Sequence, residues 1–218
     1  MFNFNLSPMV KNLLILNVVI YLGFMFIPNA GPLFSTFALW PFQNPNFRIW
    51  QPLTHMFMHS QYDYTHILYN MLALVFLGPA IERWMDSNRF LFFYLACGIG
   101  AFLTVAAVNY YNFTFDYAHF MATDYNVPSV GASGAIYGIL AAFLWLYPNE
   151  KLILFPIPIP IKVKYLIGFY MIKELLATLG YIASSANVAH LAHIGGAIFG
   201  FIMIWYWKKN DMDKYRIY

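Results

Sequence analysis

Long apolar runs, separated by short polar or proline-rich stretches, dominate the chain. Six of them have the length and composition of membrane helices, at approximately 12–27, 65–84, 89–109, 132–147, 164–183 and 188–207. The last four are built mostly of Leu, Ile, Phe, Ala and Gly. Ionisable or polar side chains interrupt the pattern at few places. His66 and Asn70 lie near the start of the second run, Ser133 opens the fourth, Lys173 and Glu174 lie inside the fifth, and His193 sits near the start of the sixth. The first run follows a lone Lys11, as a secretory leader would, but PNAGPLF after it offers no convincing small-x-small cleavage site, so it is read as a retained span. The predicted fold class is an all-α membrane protein, one domain over residues 1–218 with a bundle of six transmembrane helices.

The connections add detail. PNAGPLFSTFALWPFQNPNFRIWQPLTHMFMHS, between the first two runs, is too apolar for a free linker and too broken by proline for a span. It predicts a large, ordered, partly embedded loop between helices 1 and 2. In the fourth-to-fifth connection, PNEKLILFPIPIPIKVK, the Pro-Ile-Pro-Ile-Pro run excludes helix. Basic residues favour the cytoplasmic side of a membrane. Lys11, Arg83, Arg89, Lys151, Lys162, Lys164, Lys208, Lys209, Lys214 and Arg216 fall on one side of a six-span arrangement, against Arg48 alone on the other. Both termini are therefore expected in the cytoplasm.

Composition agrees with lipid as the solvent. Apolar residues make up 61% and charged residues 10% of the 218, against roughly 45–50% and about 25% in soluble proteins. Aromatics at 21% suit interfacial belts. A net charge of +3 gives no reason to expect a nucleic-acid partner, and the single Cys97 excludes an intramolecular disulfide. With no P-loop, CxxC or dinucleotide fingerprint, no cofactor is expected.

A polar side chain at membrane depth costs on the order of 2.5–3.5 kcal/mol, so each one calls for a partner or a function. From Ser133 to Tyr147, just before Pro148, a helix of about 14 residues spans roughly 21 Å, short of a hydrocarbon core near 30 Å. Anchored at the cytoplasmic face, it would leave Ser133 about 10 Å below the outer surface. Irregular backbone is tolerated at that depth only where it lines a cavity, which predicts a water-filled pit with Ser133 at its floor. Gly134 and Gly138, and likewise Gly196 and Gly200, are spaced to bring two helices into close approach. If those faces meet, Ser133 and His193 come together, a hydroxyl beside a base suited to activate it. A histidine hydrogen-bonded within the bundle fits this spacing equally well. His66 and Asn70 share one helix face. Their ring N–H and amide could stabilise an oxyanion or simply bond a neighbouring helix.

Three motifs together carry a resemblance. GASGAIYG resembles the GxSGxxxG motif of rhomboid intramembrane serine proteases, HILYN their HxxxN, and AHIGGAIFG their AHxxGxxxG. His55 and His59 in HMFMH, Arg48 near Trp50, and Glu82 in PAIERW are also similar to family features. The resemblance covers essentially the whole chain, with its motifs in the family's order. It implies Ser133 as nucleophile and His193 as general base, and an oxyanion hole of His66, Asn70 and the Ser133 backbone N–H. It further implies that Tyr137 packs its ring on the catalytic histidine and that Gly131 and Gly134 keep the backbone clear of substrate. The family works with a Ser-His dyad. Glu174 and Asp124 are the nearest acidic residues by topology, and neither belongs to a recognisable partner motif. His190, a turn before His193, is extra.

The resemblance implies substrates that are transmembrane proteins, met within the lipid bilayer, and the missing presequence and short tails point to a bacterial inner membrane. Rival readings are a metal site, a small transporter, and a rhomboid-like binder that does not cut. His190 with His193, or His55 with His59, have ligand-like spacing, but no cysteine or well-placed carboxylate completes a zinc set in the sequence. No metal is expected.

Overall fold

A computed structural model describes residues 6–154, 157–182 and 187–210. The chain forms helix α1 (Pro8–Phe26), then α2 (Gly31–Phe37), α3 (Gln51–Thr54) and a 3₁₀ turn at His55–Phe57. Helices α4 (Tyr64–Met85), α5 (Ser87–Phe115), α6 (Tyr117–Thr123) and α7 (Ser133–Leu146) follow. Strands β1 (Lys151–Leu154) and β2 (Ile157–Lys162) precede α8 (Val163–Thr178) and α9 (Asn187–Lys209). Among the described residues, α1, α4, α5 and the His190–Lys209 part of α9 are long and apolar enough to cross a bilayer, while α7 is apolar but shorter.

Local chemistry sets the helix ends. Asp63 caps α4 by accepting the Thr65 N–H at 2.9 Å. Asp86, at φ 70°, turns the chain sharply between α4 and α5 and caps α5 by accepting the Arg89 N–H at 3.0 Å. The start of α1 is capped from a distance. Buried Glu82 accepts the Met9 and Val10 N–H groups, each at 2.9 Å, as well as the Ser7 hydroxyl and, at 2.6 Å, that of Ser87. A carboxylate at a helix N-terminus meets both the orphan N–H groups and the positive end of the dipole. Glu82 thereby ties α1 to the α4–α5 turn.

Two features depart from the sequence expectation. The fifth apolar run was expected to stay helical to 183, but α8 stops at Thr178. Gly180, at φ +77°, donates its N–H to Ala177 O and Tyr181 donates to Leu176 O, a pair of bonds that closes the helix C-terminus. The all-α expectation also omits a small antiparallel ribbon, in which Lys151 pairs with Lys162, Leu152 with Ile161 and Ile153 with Pro160. The prolines that exclude helix here are compatible with short edge strands.

Small residues draw the helices together. A Cβ on Gly196 would lie 1.9 Å from Gly134 O, and one on Gly200 2.6 Å from Gly138 Cα, so the backbones of α7 and α9 are in direct contact. Helix α5 closes the triangle, with Ala101 against Gly134, Cys97 against Gly138 and Phe199 against Gly100. Lipid supplies no hydrophobic drive between helices, so association rests on close packing of this kind. Outward-facing Ile15, Val19, Met25, Phe92, Phe169 and Ile202 remain exposed, as lipid-facing positions should. Helix α8 buries only a narrow stripe, Val163, Ile167, Glu174 and Ala177.

The segment before α4 is ordered by one buried side chain. Gln51, fully buried, donates to Thr36 O and Asn46 O and accepts the Trp40 N–H. Arg48 bonds the Pro45 and Phe47 carbonyls, and Leu39 pairs with Ser129. This segment thus braces the chain that leads into α7.

Candidate active site

Ser133 is the first residue of α7 and is half-buried. The turn before it depends on Gly131, whose φ of +129° disfavours any side chain and whose N–H donates to His55 O at 2.9 Å. A Cβ there would sit 2.7 Å from His66 Nε2 and 3.7 Å from Ser133 Oγ. The imidazole and the hydroxyl therefore flank one small space that the missing side chain leaves open. His66 Nδ1 accepts the Ser60 N–H at 3.4 Å, which leaves Nε2 as the protonated nitrogen, facing Ser133. Asn70 is buried, and one of its amide hydrogens goes to His66 O at 2.7 Å, within its own helix.

His55 and His59 stand behind this wall. Burial holds both below the ordinary histidine range, at about 4, and His59 also has the like-charging His66 beside it. Both are neutral near pH 7. His55 bonds Gln51 O through Nδ1 at 2.8 Å, and the His59 ring meets His66 edge-on with centroids 5.2 Å apart.

His193 is placed from two sides. The Tyr137 ring, one turn after Ser133 on α7, stacks on its imidazole at a centroid distance of 4.1 Å and an interplanar angle of 7°. Its Nδ1 lies 2.9 Å from Glu174 Oε2 on α8. His190 Nδ1 approaches the same oxygen at 2.5 Å, and the Tyr137 hydroxyl donates to Glu174 Oε1 at 2.8 Å. An ionised carboxylate only accepts, so both histidines present Nδ1–H to it. That tautomer leaves His193 Nε2 as a bare lone pair.

Spacing along the chain did not reveal this arrangement, since Glu174 and His193 lie on different helices and no short motif joins them. The signal available was the cost of a carboxylate in an apolar helix. Glu174 is 4% exposed, whereas neighbouring Lys173 faces outward. The expectation that no acidic residue has a partner at the site is corrected for Glu174, and His190 is also a member of the cluster. Asp124 bonds Asn112 instead, at 3.2 Å. The expectation that no carboxylate completes a metal set is corrected as well. Ligand atoms of Glu174, His190 and His193 lie within 4.8 Å of one another, a donor set of the kind zinc accepts. In the structure, hydrogen bonds already satisfy the three groups mutually. A small separate groove is lined by Trp40, Phe42, Phe102, Val105, Asn109 and Val127 among others, and Ser133 is not part of its lining.

The bundle thus sets Ser133 and His66 around the space beside Gly131 and, one helical turn after Ser133, stacks Tyr137 on His193. The Rhomboid domain profile matches residues 46–210. The chain belongs to the rhomboid family. It is 35% identical over 153 residues to rhomboid protease GluP of Bacillus subtilis, covering 70% of this chain and 25% of that protein. It is 35% identical over 154 residues to rhomboid protease AarA of Providencia stuartii, covering 69% of this chain and 53% of that one. YdcA of Bacillus subtilis is 27% identical over 221 residues, which span 96% of this chain and 94% of YdcA. The chain thus spans about a quarter of GluP and about half of AarA. Family membership and apolar helices together make it an integral membrane protein.

Proposed function

We propose that the protein is an intramembrane serine endopeptidase that cleaves within or beside a substrate's transmembrane segment. The observation that carries this reading is the shared surrounding of Ser133. His66 Nε2 and Ser133 Oγ border the space a Gly131 side chain would fill, and Tyr137, one helical turn after Ser133, stacks on His193.

The chemistry follows from the atoms. A substrate segment, locally unwound so that its carbonyl is accessible, enters beside Ser133. The Oγ attacks the carbonyl carbon, and its proton passes to His193 Nε2. The carbonyl π pair moves to oxygen, which meets the His66 Nε2–H, the Ser133 backbone N–H and the free amide hydrogen of Asn70. Collapse breaks the C–N bond, and His193 returns the proton to the leaving amine. Water entering from the outer face then resolves the acyl-enzyme, which requires the pit at Ser133 to be wet. Gly131 keeps a side chain out of the space beside Ser133, whereas Gly134, expected to do the same, instead packs against Ala101 of α5. The six-span arrangement with both termini in the cytoplasm, in a bacterial inner membrane, completes the reading.

The test is labelling of purified protein by a serine-reactive phosphonate. Wild type is expected to label, Ser133→Ala to lose the signal and His193→Ala to lose most of it. Equal labelling of wild type and Ser133→Ala refutes the protease reading and leaves a non-cutting binder or a transporter.

A further inference from the structure

We propose that Glu174 is a positioning residue for His193, so that the protein works as a Ser133–His193–Glu174 triad rather than as a dyad. The inference rests on the protease reading and extends it to a carboxylate on a third helix.

Three observations carry it. Glu174 Oε2 lies 2.9 Å from His193 Nδ1, within hydrogen-bond range for a base and the group that orients it. The carboxylate is itself held in place, by His190 Nδ1 at 2.5 Å on the same oxygen and by the Tyr137 hydroxyl at 2.8 Å on the other. Third, Tyr137 contributes twice, stacking on the His193 ring and anchoring the anion that orients it. The ring is thus fixed in plane by the stack and in rotation by the carboxylate.

The consequence for the reaction is defined. With Nδ1–H donated to Glu174, Nε2 is the only nitrogen able to take the Ser133 proton. When it does, the imidazolium keeps its Nδ1–H···carboxylate bond, and the new positive charge lies beside a fixed negative one. The proton stays on the histidine until it passes to the leaving amine, and Glu174 remains ionised throughout. His190 serves as the second donor that keeps Oε2 aimed at His193. Because Glu174 belongs to α8 and its partners to α7 and α9, the base is fully oriented only when α8 is packed against both.

A simple clamp between helices would use the same hydrogen bonds, and the choice of variant separates the two roles. Glu174→Gln keeps the length and an acceptor oxygen but removes the charge. A clamp would survive it largely intact, whereas a triad member would not. In detergent-purified full chain, kcat against a transmembrane-segment reporter is expected to fall by about 100-fold or more, with KM and thermal midpoint near wild type. Phosphonate labelling should slow in parallel, and Glu174→Asp should restore part of the rate. Glu174→Gln with wild-type kcat overturns the inference, as does a loss confined to KM or to the thermal midpoint. Activity that a chelator removes and zinc restores also overturns it, in favour of a metal held by the same three residues. Failure of wild type to label at Ser133 refutes the protease reading, and this inference with it. Labelling of wild type and Glu174→Gln at equal rates refutes this inference alone.

Discussion

Gly196→Ala adds one methyl group where the structure leaves no room for it. The new Cβ would lie 1.9 Å from Gly134 O, 2.7 Å from its carbonyl carbon and 3.1 Å from its Cα. All three atoms are backbone, so no rotamer change relieves the clash. Reaching ordinary contact at about 3.4 Å requires α7 and α9 to part by about 1.5 Å at this level. Overpacking of this kind costs about 1–3 kcal/mol, and a backbone obstacle places it near 3. At roughly 2–4 °C per kcal/mol for a chain of this size, the thermal midpoint should drop by about 6–12 °C. The functional loss should be larger. His193 is three residues before Gly196 and Ser133 is beside Gly134, so the parting falls at the proposed reacting pair. Misplacement by about 1 Å costs on the order of 100-fold in rate. The assay pairs a thermal melt in detergent with the rate of phosphonate labelling. Gly168→Ala on α8 is the control, since a Cβ there meets nothing within 4 Å. It should leave labelling unchanged and gain up to about 1 kcal/mol in helix propensity. Wild-type melting and labelling in Gly196→Ala would refute the claim that glycine contact sets the α7–α9 distance.

Further outcomes follow from buried groups that take no part in the proposed reaction. His55 and His59 are held at about 4 against an unfolded value of 6.5, so the unfolded chain binds more protons between those pH values. Stability contributed by each neutral ring is complete above pH 6.5 and is lost as pH falls towards 4, by up to about 3 kcal/mol per residue. Melts across that window should show it, and a flat profile would contradict their burial as neutral rings. Glu82→Ala strands the first N–H groups of α1 and two hydroxyls. Charge-assisted bonds being worth about 1.5–3 kcal/mol, a loss of about 3 kcal/mol is expected by melting, with Ser133 labelling retained at low temperature. A melt unchanged from wild type would refute the capping role.

Much of this protein is written in its order of residues. Apolar run length marks the helices because a backbone in lipid must satisfy its own hydrogen bonds. Ser133 at the head of a 14-residue helix was legible from Pro148 downstream and from the small residues around it. So were Gly131 and the motif glycines, because only a missing Cβ permits φ of +129° or helix contact at backbone distance. The end of α8 at Gly180 carried a sequence signal too, in the glycine itself.

Other features depend on which helix crosses which, and no local pattern encodes that. His66 lies 67 residues before Ser133 and reaches it only because α4 packs beside the turn at Gly131. Asn70 shares the His66 face as its spacing requires, yet rotamer choice sends one amide hydrogen back to its own helix. Glu174 stands out in the sequence as a costly charge in lipid, but its meaning lies in three partners on two other helices. Periodicity and composition report what each segment must bury, because those demands are local to the segment. The approach of a histidine to a carboxylate 19 residues away is a distance between helices, and only the assembled bundle sets it.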